Sequence, residues 1–428
     1  MLPEQTTVLI VGAGPTGLAT AISLLKAGCS DIILVDAAEE KSILTSRAMA
    51  IHAATLEALE SIGCADQLVA RGIKGLGVAM SDRKSRLLTP DFDYLKPYTK
   101  YPFVLLLPQH ITEKLLEETL ESLGKKVAYS HKVVGFQESE VEGKTSVRFE
   151  NGSIISARFI IGSDGARSVV RQLAGITFSD PDGDEIDTDN ATTQMVLADV
   201  VFDAESPALP TDTGIGSISS QGFLLCLPLP KSGDEVSYRV IFNVPLDAGA
   251  PPPHPPTGFI QGYLDKTGTV AMSSDSSVNS SPIRIIKTIW SARFRTHSAI
   301  ADKFFTKLKA ANTGRHGAEV FLVGDAAHIH SPAGGQGMNL GIRDAIGLGV
   351  TLTRRVDDEK GELEEYAKQR RTRALTTIRM TKRILGIASL VSSSGVLATL
   401  QATVLWLAGM IPYVRRMGAW QLSGLGNR

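Results

Sequence analysis

The chain has 428 residues, which is enough for two domains or for one large domain with insertions. Its formal net charge of -1 provides no global field for nucleic acid or for an acidic partner, so no nucleic-acid partner is predicted. The 3 cysteines are far apart and odd in number, which argues against a disulfide framework and favours a reducing, cytoplasmic location.

The first predicted unit is a strand, a helix and a second strand. Residues 7–12 form an apolar run that predicts a short buried strand, and residues 15–27 have the pattern of a helix. Ile32 to Val35 predict the next strand, which ends at Asp36. This order is typical of a βαβ unit.

Three glycines mark the turn between that strand and that helix. Gly12 permits a tight turn, Gly14 lets the backbone approach a pyrophosphate, and Gly17 lets the helix pack on the strand. The helix N-terminus then presents free N–H groups to the phosphates. Asp36 is placed to accept hydrogen bonds from a ribose 2′-hydroxyl, so the pattern predicts an NAD-like or FAD-like adenosine rather than an NADP-like one.

Two later segments repeat the pattern of a strand that ends in glycine and aspartate. In IIGSDGARSVVR, residues 160–171, the strand ends at Asp164-Gly165. In FLVGDAAHIHSPAGGQGMNLGIRDA, residues 321–345, it ends at Gly324-Asp325, and a glycine-rich loop leads into a helix at about Met338. Successive backbone N–H groups in such a loop suit a phosphate or an electron-rich ring edge, and Asp325 can hold polyol hydroxyls.

Other candidate sites are interpreted as structural. The segments GLGVAM (75–80) and GIGSIS (214–219) lack parts of a dinucleotide motif and are interpreted as turns. The acidic segment 180–190 is interpreted as a solvated loop, because Glu185 stands where a calcium loop needs glycine. No metal is predicted at the His328-x-His330 pair, because no carboxylate or cysteine cluster completes a ligand set, and the two histidines are interpreted as residues of the cofactor loop instead.

The second half of the chain contains a β-rich segment and then a helical segment. Between about 190 and 290, β-rich segments alternate with loops rich in Pro, Ser and Gly. The C-terminal part is helical, and Ile384 to Val414 contain no Asp, Glu, Lys or Arg. This stretch is long enough to span a bilayer, but its Ser, Gly, Gln and Pro residues favour two packed helices. The basic segment before it leaves peripheral membrane contact open.

The three cofactor motifs, in this order and spacing, resemble the single-component FAD-dependent aromatic hydroxylases, the family of p-hydroxybenzoate hydroxylase and phenol hydroxylase. The resemblance implies an α/β fold: a Rossmann-like FAD-binding domain with an inserted β-sheet substrate domain and C-terminal helices. The FAD-binding domain is expected at 1–78, 101–185 and 290–360, and the substrate domain at 79–100 and 186–289. Residues 361–428 are expected to be helices packed on the FAD domain.

The same resemblance assigns roles to individual residues. It implies that Arg47 and Gln109 contact FAD, and that the carbonyl of Pro332 faces the substrate, which makes Pro332 and Arg47 the catalytic candidates. Arg343 departs from the Gln of many relatives, which puts local helix contacts in doubt. The implied cofactor-binding residues are Gly12, Gly14, Pro15, Thr16, Gly17, Asp36, Arg47, Gln109, Asp164, Gly165, Gly324, Asp325, Gly335, Gln336, Gly337, Met338 and Asn339.

The implied activity is a monooxygenation. NADPH or NADH would act as a transient co-substrate that reduces FAD, and O2 would give a flavin C4a-hydroperoxide that transfers one oxygen atom to a phenol-like small molecule. Two alternatives stay open: an oxygenase that acts on a non-phenolic substrate by epoxidation or Baeyer–Villiger oxidation, and a catalytically idle FAD-binding or membrane-associated protein. Candidate pocket residues are Phe223, Leu225, Phe242 and Trp290, and a core position is an equal alternative for each of them.

Overall fold

The structure is a computed structural model that describes residues 2–40, 48–182, 193–203, 209–219, 222–296, 298–309, 314, 316–332, 334–358, 362–391 and 396–428. Three sequence predictions fall outside these residues in whole or in part. They concern Arg47, residue 333 of the glycine-rich loop, and residues 183–190 of the acidic loop.

A mostly parallel sheet forms the centre of the fold. Within the described residues it runs in the order β19-β20-β11-β1-β2-β8, and β10 and β9 extend it from β11. Its strands are β1 Gln5–Val11, β2 Ile32–Val35, β8 Val127–Ala128, β9 Val133–Glu138, β10 Thr145–Phe149, β11 Ile154–Gly162, β19 Phe305–Lys309 and β20 His316–Leu322. The predicted βαβ unit and the predicted strands at 159–161 and 320–323 are confirmed within one to five residues at their ends.

The helices cover and extend this sheet. They are α1 Pro15–Lys26, α2 Ala53–Ser61, α3 Ala65–Arg71, α4 Gln109–Ser122, α5 Val169–Leu173, α6 Thr257–Thr267, α7 Gln336–Asp358, α8 Leu363–Val391, α9 Val396–Met410 and α10 Pro412–Ser423. Helices α1 and α7 approach closely: the Ser23 hydroxyl donates to the Ile346 carbonyl at 2.7 Å, and a Cβ on Gly349 would lie 2.2 Å from the Ser23 Oγ. Small residues therefore let α7 lie against α1, which fixes the start of α7 relative to the first glycine motif.

A second, seven-stranded sheet holds the β-rich middle of the chain. Its order is β17-β13-β16-β15-β14-β5-β6. Its strands are β5 Val78–Ser81, β6 Arg86–Leu88, β13 Thr193–Phe202, β14 Gly214–Ser219, β15 Gly222–Pro228, β16 Tyr238–Val244 and β17 Ile285–Thr296. One face packs under α6 around Val196, Leu224 and Val240.

The interpretation of two glycine clusters as turns was wrong in part. GIGSIS is strand β14, and a Cβ on its Gly216 would lie 2.2 Å from the Met80 Sδ of the neighbouring strand β5. GLGVAM runs from the end of a short strand into β5, with the turn confined to its middle. Glycine serves close strand packing here, not a nucleotide.

Two small sheets complete the described fold. The first contains β3 Ala50–Ile51, β7 Val104–Leu106 and β4 Ile73–Gly75. The second contains β12 Phe178–Ser179, β18 Ala299–Ala301 and β21 His328–Ile329. Met49, beside β3, and Leu106 of β7 form a buried cluster with Leu227 and Leu229, so the seven-stranded sheet lies directly against the first small sheet.

The C-terminal helices reach both large sheets. Helix α8 packs on α7 and on β19, α9 lies against β6, and α10 lies against the turn at Phe92–Leu95. Of the uncharged stretch 384–414, the described residues form the end of α8, α9, the connecting Ile411 and the start of α10. Among the described helices, none is both long enough and apolar enough to cross a membrane.

Candidate active site

The carboxyl ends of four parallel strands meet at one edge of the central sheet. Strand β1 pairs in parallel with β2 and β11, and β11 pairs in parallel with β20. The predicted motifs follow the ends of these strands, at Gly12, Asp36, Asp164 and Gly324. An open α/β sheet binds its ligands at such an edge.

The first glycine motif has the geometry that a dinucleotide requires. Gly12 has a φ of +102°, and a Cβ there would lie 2.5 Å from the Ser163 carbonyl oxygen. A Cβ on Gly17 would lie 1.8 Å from the Gly12 carbonyl oxygen, so only glycine lets α1 approach the turn. A Cβ on Gly14 would meet nothing within 4 Å, which leaves open space in front of the helix.

That open space lies at a positively polarised helix end. Helix α1 begins at Pro15, carries no acidic residue in its first turn and has no side chain capping its N-terminus. The Asp36 carboxylate lies at the same loop, where it accepts hydrogen bonds from the backbone N–H groups of Ala13 at 2.6 Å and Ala38 at 2.8 Å. The chemistry of this set fits the ADP half of FAD: N–H donors for phosphate and a carboxylate for ribose hydroxyls.

The second motif contributes a carboxylate, one oxygen of which has no hydrogen-bond partner among the described residues. Asp164 Oδ2 accepts hydrogen bonds from Val169 N at 2.8 Å and from Val170 N at 3.1 Å, which caps α5. Its Oδ1 is buried and has no partner among the described residues. Burial raises the pKa of this carboxyl above its usual value. Gly165 follows with a φ of +81°, a conformation that favours glycine.

The third motif contacts the first motif. A Cβ on Gly324 would lie 2.7 Å from the Thr16 Oγ1, so the end of β20 touches the first turn of α1. Asp325 is exposed beside it. Arg171, in the helix after the second motif, donates from Nη1 to the Ala326 carbonyl at 2.9 Å. The three motifs, separated by about 150 residues each in sequence, form one surface.

The glycine-rich loop ends at the N-terminus of α7. Gly334 and Gly335 have φ values of +79° and +62°, and Gly335 N donates to the Pro332 carbonyl at 2.9 Å. The side chain of Gln336 is buried and donates to the Leu422 carbonyl at 3.3 Å, so it stabilises the loop against the C-terminal helix. Helix α7 begins at Gln336, two residues before the predicted start.

Asn339 connects this loop to strand β3. Its amide nitrogen donates to the Ala50 carbonyl at 2.7 Å and to the Gly335 carbonyl at 2.6 Å, and its oxygen accepts from His52 N at 2.8 Å. Asn339 is fully buried, so it positions the loop rather than offering a free group. Gly337 and Met338, between Gln336 and Asn339, form the first turn of α7.

Sequence reasoning missed His52. Its Nε2–H donates to the Gly334 carbonyl at 2.8 Å, and burial lowers the pKa of its imidazole to about 4. Its place in the sequence could have indicated it, because His52 stands five residues after Arg47, which the resemblance assigns to FAD.

Gln109 lies beside the segment that ends at Arg47. Gln109 N donates to the Ala48 carbonyl at 2.9 Å, and Ala48 N donates to Gln109 Oε1 at 3.3 Å. The Gln109 amide nitrogen donates to Glu113 Oε1 at 2.8 Å. These bonds tie the start of α4 to residue 48, next to Arg47.

Of the candidate pocket residues, Phe223 and Leu225 lie on one face of the seven-stranded sheet and Phe242 lies on the other. Leu224 and Cys226 belong to the cluster under α6, so Phe223 and Leu225, which alternate with them, lie on the opposite face. That face meets the small β3–β7–β4 sheet. Phe242 is 0% exposed and stacks on Tyr263 of α6, with ring centroids 4.8 Å apart, so it belongs to the core.

A buried ion pair lies on the same face as Phe223. Arg239 of β16 donates from Nε to Asp199 Oδ1 at 2.7 Å and from Nη2 to Asp199 Oδ2 at 2.8 Å. Its guanidinium also lies 5.5 Å from the ring centroid of Trp290 and 3.5 Å, through Nη1, from the Ala48 carbonyl. Arg239 therefore connects the seven-stranded sheet to the segment that carries Arg47.

The His-x-His pair has a polar partner that is not a metal. His328 Nε2–H donates to Asp344 Oδ2 at 3.0 Å. Within the described ranges, no group of three His, Cys, Asp or Glu residues could hold a metal ion. A cavity of about 500 Å³ lies elsewhere, between β19 and α8, and none of the predicted site residues lines it.

Comparison with known proteins agrees with this geometry. The family described as "FAD binding domain" matches residues 5–381. An uncharacterized aromatic compound monooxygenase of Bacillus subtilis is 30% identical over 98% of this chain and 75% of its own length. The 6-methylpretetramide 4-monooxygenase of Streptomyces rimosus is 31% identical over 85% of this chain, and the match spans 58% of that enzyme.

The fold is also that of a monooxygenase of known structure. The p-nitrophenol 4-monooxygenase of Pseudomonas putida aligns with a TM-score of 0.75 over all of both chains, at 24% identity. The chain therefore belongs to the FAD-binding-domain family of FAD-dependent monooxygenases of aromatic compounds.

Proposed function

We propose that this protein binds FAD across its three motifs and uses NADPH or NADH and O2 to hydroxylate a neutral aromatic small molecule. The observation that carries the proposal is the convergence of the glycine motif, Asp164 and Gly324-Asp325 at one edge of the central sheet. When bound, the flavin supplies the activated oxygen.

Different residues of the site are proposed to bind different parts of the cofactor. The N-terminus of α1, opened by Gly14, would receive the pyrophosphate, and Asp36 would accept from the ribose. Asp325 is exposed and would accept from the polyol chain. The N-terminus of α7 at Gln336 to Asn339 would stabilise negative charge on the flavin ring through its N–H groups. Arg47 and Gln109 remain proposed FAD contacts.

The substrate is proposed to be a neutral aromatic compound. The face of the seven-stranded sheet that meets the β3–β7–β4 sheet is proposed to line its pocket, and this face carries apolar side chains and an ion pair whose charges balance. Phe223 and Leu225 are half-buried on this face. Arg239 is 0% exposed, and its charge is balanced by Asp199 in a two-fold hydrogen bond, so it offers no free cation to a carboxylate. The Pro332 carbonyl is held in the loop by Gly335 N and remains the proposed substrate contact.

The test is consumption of NADPH and NADH by the purified protein in air, with H2O2 assayed in parallel. Neutral phenols should stimulate consumption with little H2O2, and their carboxylated analogues should stimulate it less. Epoxide or lactone products would instead support a non-phenolic substrate. A protein that binds no FAD would contradict the proposal.

We also propose peripheral contact with a membrane surface through α9 and α10, for a protein of the cytoplasm. Val404, Leu407, Met410, Ile411 and Tyr413 are each more than half exposed. The charged residues of these two helices are both arginines, 415 and 416, which favours an anionic lipid surface. Cys29, Cys64 and Cys226 are buried and form no disulfide with one another, which supports the proposed reducing compartment.

Vesicle flotation tests this contact. The protein should float with vesicles that contain phosphatidylserine and less with phosphatidylcholine alone. The double variant Leu407→Glu/Met410→Glu should stay at the bottom, whereas Ile286→Glu, at an exposed residue of β17, should still float. If the wild-type protein floats with neither vesicle, the contact does not exist.

A further inference from the structure

We propose that His330 offers one hydrogen-bond acceptor, its Nε2 atom, to an O–H or N–H donor of the ligands that occupy the active site. The inference rests on the proposed function, since the donor belongs either to FAD or to the aromatic substrate. It assigns a specific contact to a residue of the third motif for which the sequence predicts no ligand role.

His330 lies where the glycine-rich loop meets α7. A Cβ built on Gly337, in the first turn of α7, would have His330 Cε1 as its nearest neighbour, at 4.0 Å, and nothing closer. The ring edge that carries Cε1 and Nε2 therefore lies near the space in front of a 23-residue helix whose first turn contains no acidic residue. This space is the proposed flavin site.

The hydrogen bond of the other ring nitrogen fixes the tautomer. His330 Nδ1 lies 3.0 Å from the Ser331 carbonyl oxygen. Because a carbonyl only accepts, Nδ1 carries the hydrogen, and Nε2 of the neutral ring is left with a lone pair. Burial and the neighbouring His328 lower the pKa of His330 to about 4, so the ring is neutral at physiological pH.

This Nε2 atom is buried and has no partner among the described residues. A buried acceptor without a partner destabilises the site, and a donor on a bound ligand would remove that cost. The low pKa also makes His330 a poor base, so it accepts a hydrogen bond without taking the proton.

The ring is held from behind by packed side chains. His328 lies parallel to it, with ring centroids 6.3 Å apart and an angle of 9° between the planes. His328 in turn donates to Asp344 at 3.0 Å, and Asp344 is held by Arg370 Nη1 at 3.4 Å and, through its carbonyl, by the Tyr366 hydroxyl at 3.0 Å. A contact fixed in this way is pre-organised for a ligand.

The experiment compares His330→Leu, which removes the acceptor, with His330→Gln, whose amide oxygen can take the place of Nε2. His316→Leu, at an exposed histidine of β20, is the matched control. FAD affinity is measured by fluorescence titration of the apoprotein. The affinity for a phenol and for its O-methyl ether is measured from absorbance changes of the flavoprotein.

We expect His330→Leu to lose roughly tenfold in one of these affinities, His330→Gln to stay within about threefold of wild type, and His316→Leu to be unchanged. Weaker FAD binding assigns the donor to the flavin. Unchanged FAD binding with weaker binding of the phenol, but not of its ether, assigns the donor to the substrate hydroxyl. If the wild-type protein binds FAD and His330→Leu matches it in every affinity, the inference is wrong. If the wild-type protein binds no FAD, the proposed function is wrong instead.

Discussion

Asp199 and Arg239 face each other across strands β13 and β16 and form a two-fold hydrogen-bonded ion pair on the face of the seven-stranded sheet that meets the small β3–β7–β4 sheet. Arg239 is 0% exposed and Asp199 is 14% exposed, so neither charge can be solvated fully if its partner is lost. The pair is therefore a stability element as well as part of the proposed substrate surface.

Removal of one member of the ion pair should lower the free energy of unfolding more than removal of both members. Arg239→Met leaves Asp199 uncompensated and should lower the free energy of unfolding by about 3–5 kcal/mol, whereas Arg239→Met with Asp199→Leu should recover much of that loss. Urea unfolding of both single variants and the double variant measures the coupling. Additive losses in the double variant would show that the two charges act independently.

The first glycine motif allows folding and cofactor binding to be separated. Gly17→Ala places a methyl group 1.8 Å from the Gly12 carbonyl, so it should lower the melting temperature of the apoprotein. Gly14→Ala meets nothing within 4 Å, and the φ of -68° at Gly14 suits alanine. It should leave the apoprotein stable and weaken FAD binding about tenfold or more, because its methyl group occupies the phosphate approach. Melting curves and FAD titrations of both variants are the measurement. If the two variants change the melting temperature and the FAD affinity by equal amounts, folding and cofactor binding are not separated at this motif.

The convergence of the three motifs was predictable because each motif follows an apolar strand, and the carboxyl ends of parallel strands share an edge. The face of the second sheet was not predictable from local pattern. Phe223 and Phe242 both stand in alternating strands, but the phase of each strand relative to the core depends on its neighbours. This is why Phe223 lies on the face that meets the β3–β7–β4 sheet, whereas Phe242 packs under α6.

Long-range polar contacts were also beyond local pattern. His52 and Gly334 are 282 residues apart in sequence, and Asp199 and Arg239 are 40 residues apart. Neither pair has a spacing that periodicity could detect. Their partners are set by the approach of whole sheets and helices, which follows from packing of the complete chain.

Arg343, which departs from the resemblance, stabilises the end of the chain. Its Nη1 donates to the carbonyls of Gly424 at 3.3 Å and Asn427 at 3.0 Å. Burial lowers its pKa to about 10, so the guanidinium is still charged at neutral pH. Arg343→Gln cannot reach both carbonyls and should cost about 1–3 kcal/mol of the free energy of unfolding.

The matched control for Arg343→Gln is Arg354→Gln, at an exposed arginine of the same helix, which should change little. Hydrogen exchange of residues 420–427 should quicken only in the first variant. Equal protection in both variants would mean that α10 is held by its other contacts.

Two buried histidines predict how stability depends on pH. Burial lowers the pKa of His52 and His330 to about 4, whereas the unfolded chain has an ordinary value near 6.5. Between these values the unfolded state binds more protons than the folded state, so stability falls as the pH drops from about 6.5 to about 4. Each histidine adds up to about 1.4 kcal/mol per pH unit to that slope.

The double variant His52→Gln/His330→Gln should therefore lose less stability between pH 7 and pH 5 than the wild type does, while His316→Gln should follow the wild type. Urea unfolding at several pH values in that range is the measurement, and parallel curves for all three proteins would show that neither imidazole is the group that titrates.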